Sequence, residues 1–320
     1  MSQNKVIPQS SLEKYSIAGK VFLLGEYAVL AGLPALVATL PPRFELSLSV
    51  GSTQSSFFLP SPLSPLGKLS AWAVKQGQEV LSFFFEDPLQ GAGGLGASTA
   101  QFAMADLAYS RRRGEESRKW SAVWKLYQEL MSDVPLLPSG ADLVAQWQGG
   151  IVLFDPMDGH CSDIWPIFDW SQLLVFSATQ LPGRKVVTHE HLALLAKTGF
   201  PHKNLSLISS LEKIILQGLS AVRENDADRF GKALNEYAET LSEAGLELSE
   251  AIEDRHVLRS LPGVLGVKGT GAMLSDAVVV LMRSGGLQRA HLIEVAQSRG
   301  LQLLADGLSC QMGVTCLNSV

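Results

Sequence analysis

A chain of 320 residues is long enough for two packed lobes, and its 46% hydrophobic and 18% charged residues can fill a large interior, which excludes global disorder. Glycine (29) and proline (15) stay near the ordinary background, which excludes collagen-like and linker-dominated chains. A formal net charge of −5 argues against nucleic-acid binding as the main role, since phosphate backbones call for clustered Lys and Arg. The same balance leaves room for a small local anion site.

Cys161, Cys310 and Cys316 are odd in number and irregular in spacing, so they form neither a disulfide framework nor a zinc pattern, and a reducing compartment is expected. Met1–Ser11 has no apolar core of a secretory signal, and no run of about 18 apolar residues is present. The expectation is a cytoplasmic protein with no membrane or nucleic-acid partner.

In chain order, Tyr15–Leu24 reads as the first strand, broken by Gly25. Residues 28–37 continue in short apolar runs, and Phe44–Val50 alternates apolar and polar like a half-buried strand. Residues 51–67 are rich in Ser, Pro and Gly and read as a loop. Leu69–Phe85 reads as a helix with an ambiguous Phe83-Phe84-Phe85 end. Ala97–Leu107 has the composition of a buried helix, and a second helix is expected over Arg118–Met131. Pro138-Ser139-Gly140-Ala141-Asp142 opens a further segment with capping residues. Ile151–Phe154 and Leu173–Ser177 read as strands. Leu205–Arg259 has the helical period, read as two long helices broken near 224–228. Gly263–Gly271 reads as a turn-rich return, Ala277–Leu281 as a strand, Leu287–Arg299 as a helix, with a last strand near the C-terminus. This order implies an α+β fold in two lobes, divided as residues 1–170 and 171–320.

Gly91, Gly93, Gly94 and Gly96 stand directly before the Ala97 helix. Glycines let a backbone approach a ligand closely, and a helix start offers free N–H groups at the positive end of its dipole. Together they make a phosphate cradle, which Ser98 and Thr99 hydroxyls complete. A glycine turn capping a buried helix is the plainer structural reading. Neither the Walker pattern nor the dinucleotide fingerprint is present.

Gly94-Leu95-Gly96-Ala97-Ser98-Thr99-Ala100 resembles the phosphate loop of the GHMP kinases, a family that includes galactokinase, homoserine kinase, mevalonate kinase and phosphomevalonate kinase. Gly19–Leu36, with Gly25-Glu26-Tyr27 within it, resembles the N-terminal motif of the mevalonate and phosphomevalonate kinases. Lys268-Gly269-Thr270-Gly271-Ala272 resembles their C-terminal glycine motif, and Pro138–Asp142 the segment with their catalytic aspartate. The resemblance implies a GHMP kinase fold: an N-terminal lobe with a mixed sheet and the phosphate-loop helix, and a ferredoxin-like α/β C-terminal lobe.

On that resemblance Asp142 accepts the proton of an alcohol, and Lys20 holds Asp142 ionised and stabilises the transferring charge. The residues 93–99 (Gly93, Gly94, Leu95, Gly96, Ala97, Ser98 and Thr99) bind ATP, while Ser98 and Glu129 hold Mg²⁺. Glu26, Tyr27, Ser139, Gly140, Thr188 and Thr270 fall on the acceptor side. At the Tyr27 position mevalonate kinases usually carry His and phosphomevalonate kinases often Tyr, whereas the Pro138-Ser139-Gly140 segment is closer to mevalonate kinase. Arg184 and Lys185 are cations that could meet an anionic acceptor, although a solvated loop is the simpler reading. Departures from the family pattern are Ala18 for Pro, Ala97 for Ser, and Met273-Leu274-Ser275-Asp276 for most of the C-terminal glycine run.

His189 and His191 lack a third metal ligand nearby, and the Arg111-Arg112-Arg113 cluster reads as a solvated loop. The function implied is ATP-dependent phosphorylation of a small isoprenoid-precursor alcohol, mevalonate first. The alternatives are a phosphomevalonate kinase and a non-catalytic ligand sensor; a homodimer is compatible with either. Gly25-Glu26-Tyr27 stands where the related diphosphomevalonate decarboxylases have a lysine-tryptophan motif, which ranks that activity low.

Overall fold

β1 (Glu13–Leu24) is buried on both faces from Tyr15 onward, the pattern of a strand covered on two sides. It pairs antiparallel with the 16-residue β2 (Ala35–Val50), from Glu13 opposite Leu48 to Leu24 opposite Leu36. The register slips between Ala18 and Gly19, opposite Pro41 and Pro42, which cannot donate to a ladder. The computed structural model describes residues 13–50, 58–88, 94–115, 118–178, 181, 184, 186–283 and 286–317.

α1 (Pro65–Lys75) starts at Ser64, whose hydroxyl accepts the Gly67 N–H at 3.0 Å, with Pro65 at the first helical position. The helix expected over Leu69–Phe85 therefore stops at Lys75. Gly77 turns the chain with φ 80°, and the phenylalanine run lies in β3 (Leu81–Glu86), where aromatic side chains fit a pleated surface better than a helix. α2 (Ala97–Arg112), α3 (Trp120–Leu130) and α4 (Ala141–Gln148) follow, then β4 (Ile151–Asp155) and β5 (His160–Asp163). β3 pairs with one end of β2 and β4 with the other, so both run against it. Among the described residues the pairs of this sheet are all antiparallel, where a mixed sheet was expected.

The second sheet holds β6 (Leu173–Ser177), β7 (Val264–Thr270), β8 (Ala277–Met282) and β9 (Gln302–Asp306) in the order β7-β8-β6-β9. Helices α5 (Thr188–Thr198), α6 (Leu205–Arg223), α7 (Ala227–Glu243) and α8 (Ser249–Arg259) lie between β6 and β7, and α9 (Gly286–Ser298) between β8 and β9. This is the ferredoxin-like arrangement. Three helices occupy 205–259, not two, because Gly245 at φ 72° ends α7 and the chain turns again before α8. Residues 264–270 form a strand where a turn-rich return was expected. Its glycines serve close packing instead: a Cβ on Gly266 would fall 2.5 Å from the Gly231 carbonyl oxygen of α7. The two-residue β10 (Thr315–Cys316) returns to pair with β1 in the first sheet.

One hydrophobic core runs through both sheets, from Leu24 and Tyr109 to Leu211, Tyr237 and Val279. By length and composition α6 could cross a membrane, but its apolar side packs on this core through Leu211, Ile215 and Val222, and Gly218 sits against Leu24.

The Gly231–Gly266 contact sets how closely α7 lies on β7. Gly231→Val would force the backbones apart; it is expected to lower stability by about 2–3 kcal/mol in a urea titration.

Candidate active site

Gly96 is the N-cap of α2 with φ 93°, and no side chain caps the helix start. The first helical bond is Ala100 N–H to Gly96 C=O at 2.8 Å, so the N–H groups of 97–99 point outward without a capping side chain. With the helix dipole they favour an anion. A Cβ at Gly96 would fall 2.8 Å from Gln146 Nε2 and 2.9 Å from Lys20 Cγ, so only glycine admits both neighbours. The Lys20 N–H donates to the Leu95 carbonyl at 3.0 Å, which ties β1 to the loop. Its side chain is buried, with Nζ 4.9 Å from the Phe22 ring centroid. Leu95 and Thr99 are buried, Gly94 and Ala97 are half-buried, and Ser98 is exposed; Gly93 lies outside the described residues.

Asp142 stands in the first turn of α4 and is half-buried. The turn before it is held by α3: Trp124 Nε1 donates to Ser139 C=O at 2.8 Å, and Gln128 Nε2 to Pro138 C=O at 2.5 Å. Gly140 has φ 74°, and a Cβ there would meet Trp124 Cδ1 at 2.7 Å. The Ser139 hydroxyl accepts the Ala141 N–H at 3.3 Å. Asp142 Oδ1 accepts the N–H of Leu143 at 3.0 Å, while Oδ2 lies 3.5 Å from Thr99 Oγ1 on α2. The Thr99 proton goes to Gln146 Oε1 at 2.6 Å, the shorter bond, and Gln146 Nε2 donates to Ala18 C=O at 2.8 Å. Fully buried Gln146 thus laces α2, α4 and β1 together, a role nothing local in the sequence signals. Burial, with the Asp142 charge adding, pushes the Tyr127 phenol far above its ordinary value.

Two expected relationships are not found. Glu129 is exposed on α3, because the face turned to the Ser139–Gly140 turn is the Trp124/Gln128 stripe at i, i+4. Among the described residues no ion pair within 4.0 Å joins Lys20 to Asp142; the carboxylate whose charge Lys20 offsets is Asp276.

Glu26, expected on the acceptor side, forms a buried ion pair with Lys268 at 2.5 Å, reached across 242 positions of sequence. Tyr237 Oη donates to Glu26 C=O at 2.7 Å, and Lys268 Nζ to Gly269 C=O at 2.8 Å. Burial pulls the Lys268 ammonium below its ordinary value against the pull of Glu26. Glu26 Oε2 is buried with no hydrogen-bond partner among the described residues. Tyr27 sits at φ 62°, a conformation costly for a non-glycine residue. Its Oη accepts the Met273 N–H at 2.8 Å and lies 3.1 Å from His191 Nε2. Thr270 is buried, and its hydroxyl accepts the Phe22 N–H at 3.3 Å. Thr188 is exposed at the start of α5, one turn before His191.

His189 and His191 lie on a helix rather than a strand, about 200° apart around it, so they do not share a face. His191 is half-buried, and burial lowers its pKa, which suits a neutral ring accepting the Tyr27 proton. Arg184 is not in a solvated loop. It is 6% exposed, ion-paired to Asp254 and donating to Glu250 C=O at 3.1 Å, while Lys185 lies outside the described residues. Met273 and Leu274 both hold φ 52°, a left-handed backbone adopted here without glycine.

No family model matches the chain. It is 26% identical over 298 residues to the mevalonate kinase of Aeropyrum pernix, covering 86% of this chain and 90% of that protein. The Methanococcus jannaschii mevalonate kinase structure superposes with a TM-score of 0.70 at 16% identity, covering 95% of this chain and 99% of that one. Streptococcus pneumoniae phosphomevalonate kinase in complex with phosphomevalonate and AMPPNP gives 0.68 at 15% identity, covering 95% and 99%. Over most of its length the chain is similar to members of the GHMP kinase superfamily, and its fold is the one they share. That likeness supports a small-molecule kinase of the GHMP type.

Removing one partner of the Glu26–Lys268 pair strands the other charge in the interior. Lys268→Met is expected to cost about 3–5 kcal/mol of stability, with Glu26→Gln added to it recovering part of the loss, read from urea unfolding of the double-mutant cycle.

Proposed function

We propose that this GHMP kinase transfers the γ-phosphoryl group of ATP to the hydroxyl of mevalonate, giving 5-phosphomevalonate. The observation that carries the reading is the meeting of the uncapped start of α2 with the Asp142 carboxylate, whose Oδ2 lies 3.5 Å from Thr99 Oγ1. The backbone amides of 94–99 hold the nucleotide phosphates. Asp142 takes the proton of the acceptor hydroxyl as its oxygen attacks the γ-phosphorus. The new O–P bond forms as the bond to the departing ADP oxygen breaks. The Lys20 ammonium, beside the same loop, stabilises charge on the transferring group.

The residues fit a divalent cation that arrives with the nucleotide. Among the described residues no group of three or more His, Cys, Asp or Glu could hold a metal ion, but Mg²⁺ needs few protein oxygens beyond phosphates and water. The exposed Ser98 hydroxyl in the first turn of α2 is such an oxygen, and Glu129 is not placed to serve. Held there by Ser98, Mg²⁺ would supply charge neutralisation to the nucleotide phosphates.

The acceptor side suits a small alcohol. Glu26 Oε2, buried and without a partner among the described residues, is an acceptor that a substrate hydroxyl would satisfy. Among the described residues, Lys268 is matched by Glu26 and Arg184 by Asp254, which leaves neither of them free for a phosphorylated acceptor. That balance favours mevalonate. Tyr27 favours the second reading, phosphomevalonate, by its resemblance to phosphomevalonate kinases. A non-catalytic sensor is opposed by the presence of Asp142 beside the uncapped start of α2.

In a coupled ADP-release assay, kcat/KM with mevalonate is expected to exceed that with phosphomevalonate; the reverse order would transfer the assignment to the second reading, and inactivity on both would remove it. Asp142→Asn is expected to lower kcat by about a hundred- to ten-thousandfold while AMPPNP binding stays within about threefold. Normal turnover by that variant would refute Asp142 as the base.

A further inference from the structure

Asp276 directly precedes β8 and is 1% exposed. Its Oδ2 accepts the Ala272 N–H at 3.0 Å. A Cβ on Gly94 or on Gly271 would overlap that same oxygen, so the carboxylate is wedged between the phosphate loop and the 271–275 turn. The backbone around it is fixed: Asp276 N–H donates to Thr270 C=O at 3.0 Å, and Ala178 N–H donates to Asp276 C=O at 3.1 Å. The glycine at position 94 is thus required by a protein carboxylate as well as by any ligand.

Among the described residues, the charged and titratable groups facing Asp276 are the Lys20 ammonium on β1 and the Tyr27 phenol in the turn that follows. The 94–99 segment brings no charged side chain, and β6 brings none. Burial outweighs the Lys20 charge and pushes the Asp276 carboxyl up to about 6, so near pH 8 it is an anion. An anion at this place opposes what a phosphate cradle attracts.

We propose that Asp276 sets the charge of the nucleotide the site accepts, disfavouring free polyphosphate and admitting the complex already neutralised by a divalent cation. The inference rests on the nucleotide reading of the 94–99 loop. Like charges held close in a partly dry site repel strongly, and the penalty scales with the ligand's charge. A divalent cation cancels about two of the roughly four negative charges of a triphosphate, which removes much of that penalty. The wedge then excludes the nucleotide form that lacks the cation needed for transfer.

The test is calorimetric titration of AMPPNP at pH 8 into the wild type and Asp276→Asn, once with magnesium and once with EDTA. Asn keeps the shape and an oxygen for the Ala272 N–H. In EDTA the variant is expected to bind about tenfold tighter than the wild type, and in magnesium to differ by less than about threefold. Asp276→Gly, which removes the wedge without crowding, must shift the EDTA affinity in the same direction; this keeps the test decisive should the Asn protein fold poorly. Equal affinities of wild type and both variants in EDTA overturn the inference. Weaker binding by the variants in magnesium alone overturns it too, by making Asp276 a ligand of the cation. A wild type that binds AMPPNP in neither arm overturns the nucleotide reading itself, and the inference with it.

Discussion

At Gly96 three parts of the chain approach a single α-carbon. Lys20 comes from β1, Gln146 from α4, and the α2 helix begins there, with no room for a Cβ between them. The site depends on that crowding. It brings a helix start with free amides, a buried cation and the turn carrying Asp142 into one place. The Thr99–Gln146–Ala18 chain of hydrogen bonds then locks the two helices to the strand. Hydrogen bonds among buried groups with no water to replace them hold such an arrangement rigidly.

What was legible in the sequence follows from what is local. The β1 strand, the α2 start and the Pro138–Asp142 turn each have their signal within a few residues, as apolar runs, glycines or capping composition. The Glu26–Lys268 pair and the Asp276 wedge were not legible, because their partners come from distant parts of the chain. Gln146 looks like any helical glutamine until α2 is placed beside it. Glu129 was drawn in by its distance along the chain, whereas the helical period turns Gln128 toward the site and Glu129 away. Glycines misled in a different way. Those at 266 and 269 read as turn residues, yet they sit in β7 to let α7 and the Leu274 backbone come close.

The 271–276 turn holds a left-handed backbone at two positions that are not glycine. Met273 and Leu274 adopt φ values that glycine would take freely, at a cost of order 1–2 kcal/mol each. Surrounding contacts hold them there: Tyr27 Oη takes the Met273 N–H, Leu248 N–H donates to Met273 C=O at 3.0 Å, and Leu274 is fully buried. Tyr27 is itself at positive φ, so two strained segments brace each other through one hydroxyl. Strain of this kind persists where the neighbourhood over-determines the backbone, as around reactive sites.

The return of β10 to β1 bears on how the protein is made. Leu317 N–H donates to Lys14 C=O at 2.8 Å, and the Arg43 guanidinium binds the carbonyls of Met312 and Gly313 at 2.8 and 2.9 Å. During synthesis from the N-terminus, the outer edge of β1 and the donors of Arg43 wait for residues that emerge hundreds of positions later. A nascent chain therefore carries an open strand edge, a template for unwanted pairing, until translation reaches this last strand.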